Sequence, residues 1–251
     1  AALSSHRALG ETITARRATL AKRETADEGA EAEDRALERL GELNAAIDDQ
    51  SASKLTALIE QLKEIGVGPR SDTRVVVFSE RIATLDWLAA TVPKALKLKD
   101  NDVRVLHGGM ADVKQMDVIA EFGLAESGVK LLLTGDMASE GVNLHRQCHH
   151  LIHFDLPWSL ITIEQRNGRI DRYGQFHAPE IRYLVYTPAD PEVASDVRVL
   201  KKLIEKEHAA HRALGDAGSV MGLHSATEEE TSIIKALQKR TAEEREVALE
   251  M

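Results

Sequence analysis

The sequence predicts an α/β protein: a parallel sheet with helices on both faces, extended by helices at each end. Three observations predict it. Short, nearly continuous apolar runs such as TRVVVF (73–78) read as strands buried on both faces. Helical periodicity falls between several of these runs, as in strand–helix–strand units with parallel pairing. The two ends of the chain, by contrast, carry helical periodicity alone.

Each element has its own signal. Residues 1–65 hold no proline and read as helix. In 30–47, Leu37, Leu40, Leu43 and Ile47 recur at three- and four-residue steps, an amphipathic stripe. SKLTALIEQLKEIG (53–66) repeats the pattern, opens on a serine and stops at Gly66. GVGPRSD (66–72) is a turn-rich linker. Strands follow at 73–78, 103–106 (VRVL), 129–133 (VKLLL), 151–154 (LIHF) and 181–186 (IRYLVY). A helix through Ile82, Leu85 and Leu88 follows the first strand, and one through Met116, Ile119 and Phe122 follows the second. Residues 192–215 and 227–250 read as two more amphipathic helices, the latter opening on a Thr227/Glu230 capping box. The expected organisation is a helical extension and linker (1–72), a sheet domain (73–188) and a C-terminal helical extension (189–251).

Composition bounds the function. The chain has 251 residues and net charge −9. It carries 10 basic against 14 acidic residues in 1–73, 13 against 14 in 74–188 and 9 against 13 in 189–251. A self-sufficient nucleic-acid binder is usually strongly basic; only the near-neutral centre can offer a basic surface. The single cysteine, Cys148, excludes an intrachain disulfide and is expected of a reducing, cytoplasmic setting. No apolar run reaches the roughly 18 residues a membrane span needs, and no signal peptide is visible. The chain opens on Ala1 rather than methionine, the expectation being a segment of something longer.

The chemistry concentrates in EQRNGRIDRYGQ (164–175), with Arg166, Arg169 and Arg172 at steps of three. On a helix these would be neighbours, repelling by roughly 0.2–0.5 kcal/mol per pair. Gly168, inside the cluster, is disfavoured in a helix by about 1 kcal/mol. Planar guanidinium forks suit phosphate oxygens. Yet the chain has no G-x-x-x-x-G-K-[ST] and no G-x-G-x-x-G, so it can supply only half of an ATP site. His145, Cys148, His149, His150 and His153 invite a zinc reading, but H-x-x-C-H-H-x-x-H fits no closed structural-zinc pattern. Strand alternation sends His149 and His153 to one face and His150 to the other, so no metal site is expected.

Taken in order, RVVVFSERIATLDWL, VRVLHGGM, LLLTGDMASEGVNL, HFDLPWS and EQRNGRIDRYGQ resemble the C-terminal motor lobe of superfamily-two helicases. Among these they are similar to the Swi/Snf-type double-stranded DNA translocases, near the RapA (HepA-like) branch. The resemblance spans about residues 73–187 and implies a RecA-like sheet. The family's Q-x-x-G-R-x-x-R-x-G-Q matches Gln165, Gly168, Arg169, Arg172, Gly174 and Gln175. This makes Arg172 the expected arginine finger, with Arg169 beside it and Gln165 and Gly168 near ATP. A finger is worth about 10³–10⁵ in rate, about 4–7 kcal/mol, far more than crowded cations cost a helix. T-x-D-x-x-x-E-G-x-N-L matches Thr134 to Leu144 and implies Gly141 and Asn143 near the nucleotide, with Thr134 near a strand phosphate. His107, Gly108 and Gly109 are expected against the nucleic-acid backbone, as are Ser79 and Arg81. Trp158 would couple DNA contact to the cleft. DLPWS departs from the usual D-L-P-W-N-P at Ser159 and Leu160.

The resemblance therefore implies half of a DNA-dependent ATPase. ATP with Mg²⁺ would be shared with an N-terminal RecA-like lobe in cis that holds the P-loop and the metal ligands. Duplex DNA is the expected track, the helical flanks offer a protein partner a surface, and the fragment alone is expected to be inactive. Two alternatives stay open: a non-catalytic binding module, and an RNA helicase lobe.

Overall fold

The computed structural model describes residues 4–22, 28–49, 52–136, 142–189, 195–214 and 231. The chain divides into two compact units, residues 1–155 with 169–184, and residues 156–168 with 185–251.

The first unit is built on a five-stranded parallel sheet. Its strands are β1 (Val75–Phe78), β2 (Val103–Leu106), β3 (Leu131–Thr134), β4 (His150–His153) and β5 (Glu180–Tyr183), in the order β2-β3-β1-β4-β5. The apolar runs become the central strands because both faces are covered. On one face Val75, Val77, Leu131, Leu133 and Ile152 pack with α3 (Ser53–Ile65) and α4 (Ile82–Leu96). On the other, Val76, Phe78, Leu132 and Leu151 pack with Phe122 of α5 (Asp112–Gly123), with Val142, Leu144 and Cys148, and with Ile170.

α3 ends as its sequence dictates. Gly66 adopts φ +96°, and the amide of Val67 donates to the Leu62 carbonyl at 2.8 Å, a glycine C-cap. Leu55, Leu58 and Leu62 are buried in the sheet's own core, so α3, placed by sequence in the extension, shares that core. Farther out, α1 (His6–Leu20) and α2 (Glu28–Ala45) form a hairpin clasped by charge. Arg16 bonds Glu33 at 2.5 and 2.8 Å, and Arg17 bonds Asp34 at 2.8 and 3.1 Å. The predicted stripe on α2 is largely open: Leu40, Leu43 and Ile47 are exposed. α1 is capped by Ser5, whose hydroxyl accepts from the Ala8 amide and pairs with Thr84 of α4.

In the second unit, α6 (Leu160–Asn167) opens on Ser159, whose hydroxyl accepts the Thr162 amide at 3.3 Å. The departure from asparagine thus keeps an N-cap, since serine caps about as well. α7 (Asp196–Leu214) starts beside Tyr186, whose amide donates to the Asp196 carboxylate at 2.7 Å. The predicted helix 227–250 lies outside the described residues apart from 231, which is helical. Among the described residues, no helix is long and apolar enough to cross a membrane.

Candidate nucleotide and nucleic-acid interface

The carboxyl ends of β1, β2, β3 and β4 make one rim, laced by backbone bonds. The Ser79 amide donates to Thr134, that of Gly135 to Leu106 and that of Phe154 to Phe78, at 2.9–3.0 Å. Asp155, six per cent exposed, organises the loop after β1. Its Oδ2 accepts from the Ser79 hydroxyl at 2.5 Å, the Ser4 hydroxyl at 2.9 Å and the Glu80 amide at 3.2 Å. The Ser79 oxygen in turn accepts the Arg81 amide at 3.4 Å. Arg81, exposed, stands at the start of α4.

Two residues expected at the nucleic-acid backbone lie inside the rim. Ser79 and Thr134 are fully buried. Ser79 donates to Asp155, and the Thr134 hydroxyl donates to the Gly135 carbonyl at 3.1 Å. Both hydroxyls brace the rim. His107, Gly108 and Gly109 form a tight turn in which the Gly109 amide donates to His107 Nδ1 at 3.1 Å. A Cβ on Gly109 would sit 3.1 Å from that nitrogen, so glycine keeps the turn narrow and both glycine backbones exposed. Trp158, in the second unit, is half-buried.

The three arginines do not stack on one helix. α6 ends at Asn167, with Gly168 as its C-cap at φ −61° and its amide donating to Glu164 at 2.9 Å. That φ does not require glycine. Arg166 is buried on α6, Gln165 beside it is exposed, Arg169 is half-buried and Arg172 is exposed.

The segment Arg169 to Gln175 packs on one face of the sheet through Ile170. The Arg169 carbonyl accepts the Leu144 amide at 3.0 Å, and Ile170 is fully buried beneath it. Gln175, matched by sequence but given no role, holds the loop shut: its Nε2 donates to the Cys148 and Ile170 carbonyls, both at 3.0 Å. Its amide donates to the Arg172 carbonyl at 3.1 Å, and Gly174 takes φ +91° in this turn. Arg172 is thus carried outward on a braced turn. Asn143, exposed, is next to the Leu144 amide that binds Arg169. Gly141 lies outside the described residues.

The histidines separate into distinct environments. His153 is buried, stacked on Tyr183 at 4.4 Å and near Phe78 at 6.3 Å between ring centroids. β4 begins at His150, so His149 precedes the strand and the expected alternation does not apply to it; the two rings are 4.0 Å apart. With Glu180 they bring three ligating groups within 4.8 Å of one another. Burial, and then neighbouring positive charge, holds both imidazoles below the usual histidine range. Burial pushes the Cys148 thiol up to about 12, and its sulfur donates to the Arg74 and His150 carbonyls at 3.2 Å.

Residues 53–174 match the helicase conserved C-terminal domain. The uncharacterized ATP-dependent helicase YqhH of Bacillus subtilis is 29% identical over 215 residues, which cover 75% of this chain and 35% of that protein. The RNA polymerase-associated protein RapA of Vibrio campbellii is 27% identical over 215 residues, 80% of this chain and 21% of that one. The chain thus spans about a third of the first relative and a fifth of the second. The crystal structure of the C-terminal part of the Fun30 ATPase domain superposes with TM-score 0.53 at 19% identity, over 94% of this chain and 78% of that one, which shows the shared fold. Residues 53–174 thus resemble the C-terminal lobe of RapA-like superfamily-two helicases.

Proposed function

We propose that this chain is the second motor lobe of a Swi/Snf-type, ATP-dependent DNA translocase working in the cytoplasm. One observation carries the reading. The Leu144 amide bonds the Arg169 carbonyl, joining the T-x-D-x-x-x-E-G-x-N-L block to the arginine block across 25 residues of sequence. Asn143 and Arg172, one and three residues from the ends of that bond, are both exposed.

Arg172 fits the phosphate end of a nucleotide. It offers a guanidinium fork on a turn held by Gln175, which favours the charge that develops on a transferring phosphoryl group. Bound Mg²⁺ would neutralise charge on the β- and γ-phosphates. Among the described residues, the set of three metal-ligating side chains sits elsewhere, at the base of β4, so carboxylates of an N-terminal P-loop lobe would hold that ion. Here Arg172 acts as the finger and Arg169 orients it, with Asn143, Gly141, Gln165 and Gly168 around the nucleotide. On the rim, Arg81 and the His107–Gly109 turn meet the DNA backbone, and Trp158 reports that contact toward the arginines. The open apolar stripe of α2 is offered to a protein partner; the RapA relative is an RNA polymerase-associated protein.

Arg172→Ala in the full-length protein tests this. ATP turnover should fall about 10³–10⁵-fold while duplex-DNA affinity is largely kept. Unchanged turnover removes Arg172 from its role, and ATP hydrolysis by the isolated chain would show that no second lobe is needed. Stronger stimulation of the full-length ATPase by RNA than by duplex DNA would turn the reading to an RNA helicase.

A further inference from the structure

The amino ends of β4 and β5, opposite the rim, hold a cluster that the motor reading does not use. His150 opens β4 and Glu180 opens β5, and the two are paired in register. His149 precedes His150, and its carbonyl accepts the Glu180 amide at 2.7 Å. His150 is buried, and its Nδ1 has no hydrogen-bond partner; it lies 3.4 Å from Glu180 Oε2. A buried polar atom left bare is uncommon and asks for an explanation. His177, on the loop into β5, brings its ring 4.8 Å from that of His149.

We propose that His149, His150 and Glu180 form a binding site for a divalent transition-metal ion of the zinc type. Two imidazoles and a carboxylate are the ligand set that zinc takes in open, three-ligand sites, leaving a fourth position. Calcium and magnesium prefer all-oxygen shells, so imidazole pairs select against them. The present spread of 4.8 Å must close by about 1.5 Å, because tetrahedral ligands about 2.0–2.1 Å from zinc lie roughly 3.3 Å apart. The side chains that must move are the accessible ones: His149 is half-buried and Glu180 exposed, while buried His150 stays fixed. Arg182 donates to Glu180 Oε2 at 2.9 Å and serves as the outer partner that orients the carboxylate. Of the three ligands, His149 also lines an open cavity of about 450 Å³, with His177, Arg146 and Gln175 among others. The bound ion would fasten the start of β4 to the start of β5 at one point.

The site is tested by metal titration of the whole chain after chelator treatment. Zinc competition against a chromophoric chelator should give one equivalent bound, and Co²⁺ should produce visible ligand-field bands of a tetrahedral complex. His149→Ala and Glu180→Gln, both at accessible positions and each checked for native circular dichroism, should weaken zinc binding at least about tenfold. Absence of stoichiometric binding overturns the proposal, as does binding that neither substitution reduces. ATP turnover enters none of these readouts, so the site stands or falls apart from the motor reading.

Discussion

Asp155→Ala should be among the more damaging substitutions on the rim. The carboxylate oxygen Oδ2 accepts three bonds, from Ser79 at 2.5 Å, Ser4 at 2.9 Å and the Glu80 amide at 3.2 Å. Hydrogen bonds to a charged acceptor contribute about 1.5–3 kcal/mol each. Sharing one oxygen makes them less than additive. The substitution also strands the Ser79 hydroxyl, which is fully buried, at a further cost of about 1–3 kcal/mol. We expect a loss of about 3–5 kcal/mol, against about 1–2 kcal/mol for Asp155→Asn, which can still accept at the strength of a neutral oxygen. Urea unfolding should show this as a fall of about 1–2 M in midpoint at unchanged slope. Because Ser79 passes the anchor on to the Arg81 amide, DNA affinity should fall with it. A double-mutant cycle with Ser79→Ala should give a coupling of about 1–2 kcal/mol. A loss under about 1 kcal/mol for Asp155→Ala, or additive effects in the cycle, would refute the account of the rim.

Three more predictions follow from other parts of the chain. Gly174→Ala forces a side chain into φ +91° and should cost about 1–2 kcal/mol in thermal unfolding, while lowering ATP turnover of the full-length protein by misplacing Arg172. Cys148, buried with its thiol pushed up to about 12, should resist iodoacetamide in the native state and react once urea unfolds the chain; rapid native labelling would contradict its burial. His6, His149 and His150 are each held below 6.5, chiefly by burial, so the folded chain binds fewer protons than the unfolded chain. Their contribution is complete above pH 6.5 and is lost as pH falls through that value toward their lower folded values. The urea midpoint should therefore drop between pH 7 and 5, and His6→Phe should shallow the drop; an identical pH slope in that variant would count against it.

The sheet was legible because its signal is local. Short, mostly apolar runs marked all five strands, and β2 falls on VRVL as predicted. Helix faces were less legible. α5 forms around Met116, Ile119 and Phe122, yet Phe122 is buried and Met116 exposed, because periodicity shows that a face is apolar and not whether anything covers it. The inward turn of Ser79 was hidden for another reason: its partner lies 76 residues away, and a serine after a strand reads the same whether its hydroxyl meets a phosphate or an aspartate. The histidine cluster escaped a scan of spacing within residues 145–153 because one of its members comes from β5. Only the register of parallel strands sets Glu180 opposite His150. Arg166, without a role in sequence, proves to be among the largest fully buried side chains.

The leucines of α3 decide where this lobe can be cut. Leu58 and Leu62 show no exposed surface and Leu55 only five per cent. A fragment started at the first strand would bare the patch of α4 and sheet that these side chains cover, giving up about 1.5–3 kcal/mol for each. The smallest soluble piece is therefore expected to begin upstream of Ser53, with the turn-rich stretch at 66–72 joining two parts of one core.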